Sequence, residues 1–247
     1  MITTIISTVV TSLFVNLIRA ITVPLLRLLY DTKNWAGLAK ELAKLDANDR
    51  VCGAEVNSLA QLLTRRDFQH VSLLHFCVSD TEEGELMGVL LRGYYGEARP
   101  DLRVEIHGIA ELSSNNPERF KVHGLRNLAR TVGELVRNAG NSRYVALNCT
   151  GGYKAQVAIA VLIGQALDVD VYYKHETFSE IISFPPMPVS FNYSLLLEHG
   201  ALLVALEGGE LVEAPEEEIE PIRALLGEAL VDGKHLWELA PIGQIFL

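Results

Sequence analysis

The sequence predicts an α/β fold built on a doubly wound, mostly parallel sheet, and three observations carry that expectation. Short β-rich runs alternate with helical runs of about 10–15 residues. The first run, Thr3–Val10, reads as a strand buried on both faces, as strands of parallel sheets are. Several strand ends lead directly into a helix, the connection of a βαβ unit.

Each element has its own warrant. After Thr3–Val10, Leu13–Leu29 reads as helical with an interruption at Pro24, because proline lacks the N–H that a helix interior needs. Lys33–Lys44 (KNWAGLAKELAK) has helical periodicity. Arg50–Cys52 is a candidate short strand and Ala54–Leu63 a helix. Val71–Val78 is a strand ending in Ser79-Asp80-Thr81, followed by a helix at Glu83–Tyr95. Leu102–Ile109 is a strand, Phe120–Asn138 a helix and Tyr144–Asn148 a strand. Lys154–Leu167 is a helix and Val169–Tyr173 a strand. Phe184–Asn192 (FPPMPVSFN) has three prolines, which exclude a central strand or helix interior and mark a boundary. The expected division is a main domain, residues 1–192, and a small acidic C-terminal domain, residues 193–247. In the latter, Ser194–Glu207 and Pro215–Ala229 are expected as helices and Leu236–Leu247 as a short β-like end.

The formal charge of −10 is uneven. Residues 205–247 hold ten acids against Arg223 and Lys234, leaving only −2 for the first 204 residues. Such an acidic end repels a nucleic-acid backbone, so DNA is not an expected partner. An anion bound by the nearly neutral remainder must be held by local geometry. Cys52, Cys77 and Cys149 show no CxxC spacing and lie in apolar segments, which predicts buried, reduced thiols. Met1–Ile18 has no charged side chain, yet it lacks a basic n-region and is interrupted by Thr, Ser and Asn. A buried strand and helix are expected there, in a soluble, cytoplasmic protein without a membrane partner.

In an open parallel sheet, ligands bind outside the carboxyl ends of the strands. Three ends are rich in small polar groups: Ser7-Thr8 running through Thr11-Ser12, Ser79-Asp80-Thr81-Glu82, and Asn148-Cys149-Thr150-Gly151-Gly152-Tyr153-Lys154. Each precedes a helix, whose free N–H groups and positive dipole end favour a phosphate. Ser, Thr or Asp in that position is also an ordinary N-cap, so any single end is explained without a ligand. Three converging ends, one with paired glycines, point to a shared anion site.

The sequence has no GxGxxG after the first strand, no GxxxxGK[ST], no HExxH and no GxSxG. Dinucleotide, Walker-type, zincin and nucleophile-elbow chemistry are therefore unsupported. His175-Glu176 is a weak metal candidate, because adjacent residues do not converge on one ion. Arg65 to His70 has the Arg-x4-His spacing of HEPN ribonucleases, but it falls where a helix gives way to a strand. A structural role is expected for it.

Five segments in order carry a resemblance: STVVTSLFVN from Ser7, GAEVNSL at Gly53–Leu59, VSDTEEGELMGVLLRGYY at Val78–Tyr95, HGLRNL at His123–Leu128 and LNCTGGYKAQ at Leu147–Gln156. Together they resemble the CARF family, the CRISPR-associated Rossmann fold of type III CRISPR antiviral defence, in its stand-alone ring nuclease branch. The resemblance implies a Rossmann-like domain that dimerises and binds cyclic oligoadenylate in a two-fold groove. About 55 residues follow the proline-rich boundary, without an effector motif, so cleavage of the messenger is favoured over relay. A winged-helix-like appendage is implied there, packing against the partner copy.

The resemblance further implies metal-independent attack of a ribose 2′-OH on its own 3′-phosphate, with no cofactor. Lys154 would stabilise phosphoryl charge, with Ser12 and Thr11 orienting the 2′-OH or phosphate. Ser7, Thr8, Asn16, Ser79, Thr81, Gly151 and Gly152 complete the expected ligand contacts. Asn148 and Thr150 would line the floor, Tyr153 would stack on an adenine, and Asp80 or Glu82 would accept from an adenine amino group. Two alternatives stay open: Lys154 as an anchor without catalysis, and a non-catalytic cyclic oligoadenylate sensor that regulates a partner or a promoter.

Overall fold

The computed structural model describes residues 1–9, 12–19, 24–113, 116–175, 178 and 180–247, without the side chains of Ser12 and Arg19. In chain order, β1 (Thr4–Thr8) leads to α1 (Ser12–Arg19), α2 (Pro24–Asp31), α3 (Trp35–Leu42) and α4 (Gly53–Thr64). There follow β2 (Leu73–Ser79), α5 (Glu82–Ala98), β3 (Arg103–Ile109) and the short α6 (Pro117–Arg119). Next come α7 (Leu125–Asn138), β4 (Val145–Asn148), α8 (Lys154–Leu167), β5 (Asp170–Tyr173) and β6 (Ile182–Phe184).

The six strands form one sheet in the order β3-β2-β1-β4-β5-β6, parallel except for β6, which runs antiparallel to β5. The predicted doubly wound, Rossmann-like α/β fold is therefore present. The chain begins in the middle of the sheet, builds outward to β3, then crosses to the other side of β1. The order reverses between β1 and β4, and a crevice opens at the carboxyl ends of those two strands.

Side-chain alternation explains the layering. Ile5, Phe76, Ala146 and Tyr172 face one core, closed by α1 to α5. Ile6, Cys77, Leu147 and Val171 face the opposite core, closed by α7 and α8. The central strands are buried on both faces, which is why they read as continuous apolar runs. The three cysteines are free and buried, as expected. Burial pushes the Cys52 and Cys77 thiols up to about 12 and raises Cys149 as well, so none is a ready nucleophile.

Several expected elements are corrected. Arg50–Cys52 is a 3₁₀ turn, not a strand, because the Asp49 side chain accepts from the Val51 N–H at 2.9 Å. The predicted helix at Phe120–Asn138 starts with a π-helical turn, Phe120–Gly124, before α7. The helix expected at Pro215–Ala229 is only α10 (Glu216–Ile219) and a 3₁₀ run, Glu220–Leu225, after which the chain becomes a strand.

That strand, β7 (Leu226–Val231), pairs with β8 (Lys234–Leu239) as an antiparallel hairpin. Its turn is Asp232-Gly233, both at positive φ (51° and 78°). Asp-Gly is a strong hairpin signal and was the available clue. The final segment is α11 (Pro241–Phe246), with Pro241 in its first turn, so the β-like end holds only as far as Leu239. With α9 (Ser194–Glu207), which has the predicted bounds, these elements share a third apolar cluster around Leu203, Ile222, Trp237 and Phe246.

The C-terminal elements dock on α7. Arg126 donates to the Leu239 carbonyl at 3.1 Å and lies 3.6 Å from Glu238, both side chains being mostly buried. Arg130 donates to the Glu207 carbonyl at 3.0 Å and to Gln244 at 3.2 Å. The HGLRNL segment thus serves as a clamp for the C-terminal elements. Among the described residues, no helix is long and apolar enough to cross a membrane.

Phe76, fully buried in β2, stacks on Tyr95 of α5 with centroids 5.7 Å apart. Phe76→Ala is expected to lower unfolding free energy by about 3–5 kcal/mol through lost burial and a residual cavity, measured by denaturant titration.

Candidate functional site at the carboxyl ends of β1, β4 and β5

The floor of the crevice is a buried polar network centred on Asn148, the last residue of β4. Its Nδ2 donates to Ser7 Oγ (3.0 Å) and Ser58 Oγ (2.9 Å), and its Oδ1 accepts from Thr150 Oγ1 (2.8 Å). Thr150 Oγ1 in turn accepts from the Lys174 N–H at 3.0 Å. Thr8 Oγ1 donates to the Gly151 carbonyl, joining the ends of β1 and β4 directly. An amide is suited to this hub because it donates and accepts at once, matching the hydroxyls of Ser7, Ser58 and Thr150.

The paired glycines are explained by what lies against them. A Cβ on Gly151 would overlap Glu55 Oε1 and lie 2.9 Å from the Thr8 carbonyl oxygen. Glu55, in the first turn of α4, is fully buried beneath this turn. Gly152 has φ +116°, and a Cβ there would overlap the Gln156 side chain. Gln156 is held in that place because its Oε1 accepts from the Tyr153 N–H at 2.6 Å. The close approach required of the glycines is thus an approach to the protein's own side chains.

Above this floor lies a cavity of about 380 Å³, within the usual range for a small-ligand site. Asn16, Arg50, Asn57, Thr150, Lys174 and His175 are among its polar lining residues. Asn16 donates to the Arg50 carbonyl at 2.9 Å, which ties α1 to the 3₁₀ turn at the cavity wall. Partial burial lowers the pKa of Lys174. Lys154, the first residue of α8, is exposed and makes no hydrogen bond or ion pair with the described residues. The N–H groups of Lys154 and Ala155 likewise have no acceptor among them, as expected at a helix start. An anion placed at the start of α8 would meet two amides, an exposed ammonium and the positive end of the helix.

The predicted site residues separate into groups. Asn16 and Thr150 line the cavity, Gly151 and Gly152 form the turn that follows, and Tyr153 and Lys154 are exposed where α8 begins. Ser7, Thr8 and Asn148, expected as ligand contacts, are buried, Asn148 donating to Ser7 and Thr8 to the Gly151 carbonyl. The end of β2 serves other needs. Asp80 accepts from the Glu111 N–H at 2.9 Å, pinning the loop after β3. Thr81 caps α5 through the Gly84 N–H at 3.1 Å and bonds Ser79 at 2.8 Å, while Glu82 is exposed in the first turn. Ser79 also borders a much smaller cavity, about 30 Å³, with Tyr153 and Gln156. The Tyr153 ring meets Phe120 edge-on at 5.2 Å. Thr11 and the Ser12 side chain lie outside the described residues.

Arg50, Asn57 and Lys174 were missed. Lys174 and His175 directly follow β5, so the strand-end rule applied to a fourth strand would have found them. The Arg-x4-His segment is structural on its arginine side: the Arg65 guanidinium lies over the Tyr172 ring at 5.3 Å.

Gly151→Ala is expected to cost about 1–3 kcal/mol of stability by overpacking a floor of carboxylate and backbone. Gly96→Ala, in α5 with open space around it, should instead stabilise by about 0.5–1 kcal/mol. Paired denaturant titrations measure both.

Residues 50–187 match the family described as CRISPR-associated protein (Cas_APE2256). No curated protein matches the chain. The matched stretch runs from the 3₁₀ turn at the cavity wall to just past β6, and so contains Asn148, the glycine turn, Lys154 and Lys174. With more than half its length matched, on a Rossmann-like sheet whose switch point carries the crevice, the chain belongs to the CRISPR-associated Cas_APE2256 family, a CARF-containing family of type III CRISPR systems.

Proposed function

We propose that the chain is a ring nuclease: as a homodimer it binds cyclic oligoadenylate, cyclic tetra-adenylate first, and cleaves it without a metal. The observation that carries this reading is Lys154, an exposed ammonium with no partner among the described residues, whose own amide and that of Ala155 are open, four residues after Thr150 of the cavity that Arg50 and Lys174 also line. A ribose 2′-oxygen attacks the adjacent phosphorus, and the bond from phosphorus to the 5′-oxygen breaks. The 2′-hydroxyl proton is lost and the 5′-oxygen gains one. The products are linear, with a 2′,3′-cyclic phosphate and a 5′-hydroxyl.

The nucleophile belongs to the substrate, so the protein must hold it in line with the leaving oxygen and stabilise charge on the phosphoryl oxygens. Lys154 and the α8 amides supply the second function. Thr150 and Asn16 border the pocket for the neighbouring nucleotide, and Tyr153 offers an aromatic face for adenine stacking. Ser12 and Thr11 are assigned to orienting the 2′-OH or the phosphate, from their sequence position a few residues after Ser7-Thr8. The second reading, a sensor that binds the ring intact, draws support from the C-terminal elements clamped on α7, which offer a route to a partner.

Incubation with cyclic tetra- and hexa-adenylate in EDTA, with products followed chromatographically, separates the two readings. Turnover supports the nuclease; binding with no turnover of either ring overturns it in favour of the sensor. Lys154→Ala is expected to lower single-turnover cleavage about 10²–10³-fold. If binding falls while bound ligand turns over normally, Lys154 is an anchor and not a catalytic residue.

A further inference from the structure

On the sheet face that carries α7 and α8, but at the β3 edge, three metal-ligating side chains converge. β2 and β3 pair in parallel, with His75 opposite Glu105 and Cys77 opposite His107. Alternation sends Leu74, Phe76, Val104 and Ile106 toward α5, and His75, Glu105 and His107 to the other face. His75 Nδ1 lies 2.9 Å from His107 Nε2 and 3.4 Å from Glu105 Oε2. One donor atom from each of the three residues lies within 4.8 Å of the other two. Bonds of about 2.0–2.2 Å around a tetrahedral ion put ligand atoms roughly 3.4 Å apart, so the side chains are close to that arrangement.

The proton count argues for a cation. His75 is 5 % exposed, and its Nδ1 faces both a ring nitrogen and a carboxylate oxygen. Without an ion, one N–H carried by either ring serves the His75–His107 pair and leaves the Glu105 oxygen facing Nδ1 with no proton of its own. A cation serves all three lone pairs together. Glu105 is already oriented, because its other oxygen pairs with Arg103 at 2.5 Å, as supporting groups hold a ligating carboxylate elsewhere. β3 is the edge strand of the sheet, and Glu105 and His107 are only partly buried, so an ion has a path in.

We propose that His75, Glu105 and His107 form a three-ligand site for a divalent transition-metal ion of the zinc type, with water at the fourth position. Two imidazoles and one carboxylate suit zinc, cobalt or nickel, and not magnesium or calcium, which demand oxygen ligands. The site lies about 13 Å along β2 from the crevice end, counting four residues to Ser79. Its role is to staple the edge strand to β2, apart from the cleavage chemistry. It accords with a ring nuclease active in EDTA and does not depend on one.

The test uses untagged full-length protein, stripped with chelator and titrated calorimetrically with zinc chloride. One ion per chain and a raised melting temperature are expected, with cobalt giving the visible spectrum of a tetrahedral nitrogen–oxygen site. His107→Ala and Glu105→Gln should each weaken zinc binding at least tenfold, while His175→Ala leaves it unchanged. Melting in EDTA, compared across variants, shows whether each is folded. Absence of stoichiometric binding to the folded wild-type protein overturns the site. Binding that persists in folded His107→Ala and Glu105→Gln overturns it equally.

Discussion

The Asn148 side chain is the point on which the crevice depends. Buried among Ser7 of β1, Ser58 of α4 and Thr150 beyond β4, it closes a network that ends on the backbone of Lys174 after β5. Strand pairing aligns β1 with β4, but it does not position the loops that rise above the sheet. The network does so, because each buried donor or acceptor would cost about 1–3 kcal/mol if left unmatched. Removing one member therefore strands several others. That cost holds the glycine turn, the start of α8 and the end of β5 in one arrangement.

A second constraint follows from the first. The Glu55 carboxylate and the Gln156 amide fill the space against Gly151 and Gly152, so the turn packs on polar groups of the protein itself. Lys154, two residues beyond Gly152, is exposed at the start of α8. An exposed ammonium is well hydrated, which weakens it as an electrostatic catalyst until a ligand excludes water. Burial of Lys154 beneath a bound ring would strengthen its interaction with phosphate, consistent with the proposed chemistry.

Much of the architecture was legible in the sequence. Strands buried on both faces are continuous apolar runs, and Pro24 and the proline-rich segment interrupt elements for reasons local to proline. Legibility failed where local chemistry competed with pattern. Asp49 turned Arg50–Cys52 into a 3₁₀ turn. The acidic stretch from Glu216 carries helix-forming residues, yet the Asp232-Gly233 turn and the burial of Trp237 and Leu239 drew the following residues into a hairpin. At the site, Thr150, Tyr153 and Lys154 were legible as residues between a strand and a helix. That Ser7, Thr8 and Asn148 point into the floor was not, since adjacency in sequence says nothing about which neighbour a side chain meets.

By itself the sequence determined the alternation of strands and helices, the glycine turn before Lys154 and the family to which they belong. These are properties of neighbouring residues, set by periodicity, proline and glycine stereochemistry, and a recurring order of short motifs. Only the tertiary structure decided that Arg50, Asn57 and Lys174 share one cavity, that Arg126 clamps Glu238, and that His75 meets Glu105 and His107. Those meetings join residues far apart in the chain, and they depend on strand order and register. Both arise from the packing of the whole sheet, which no short segment encodes.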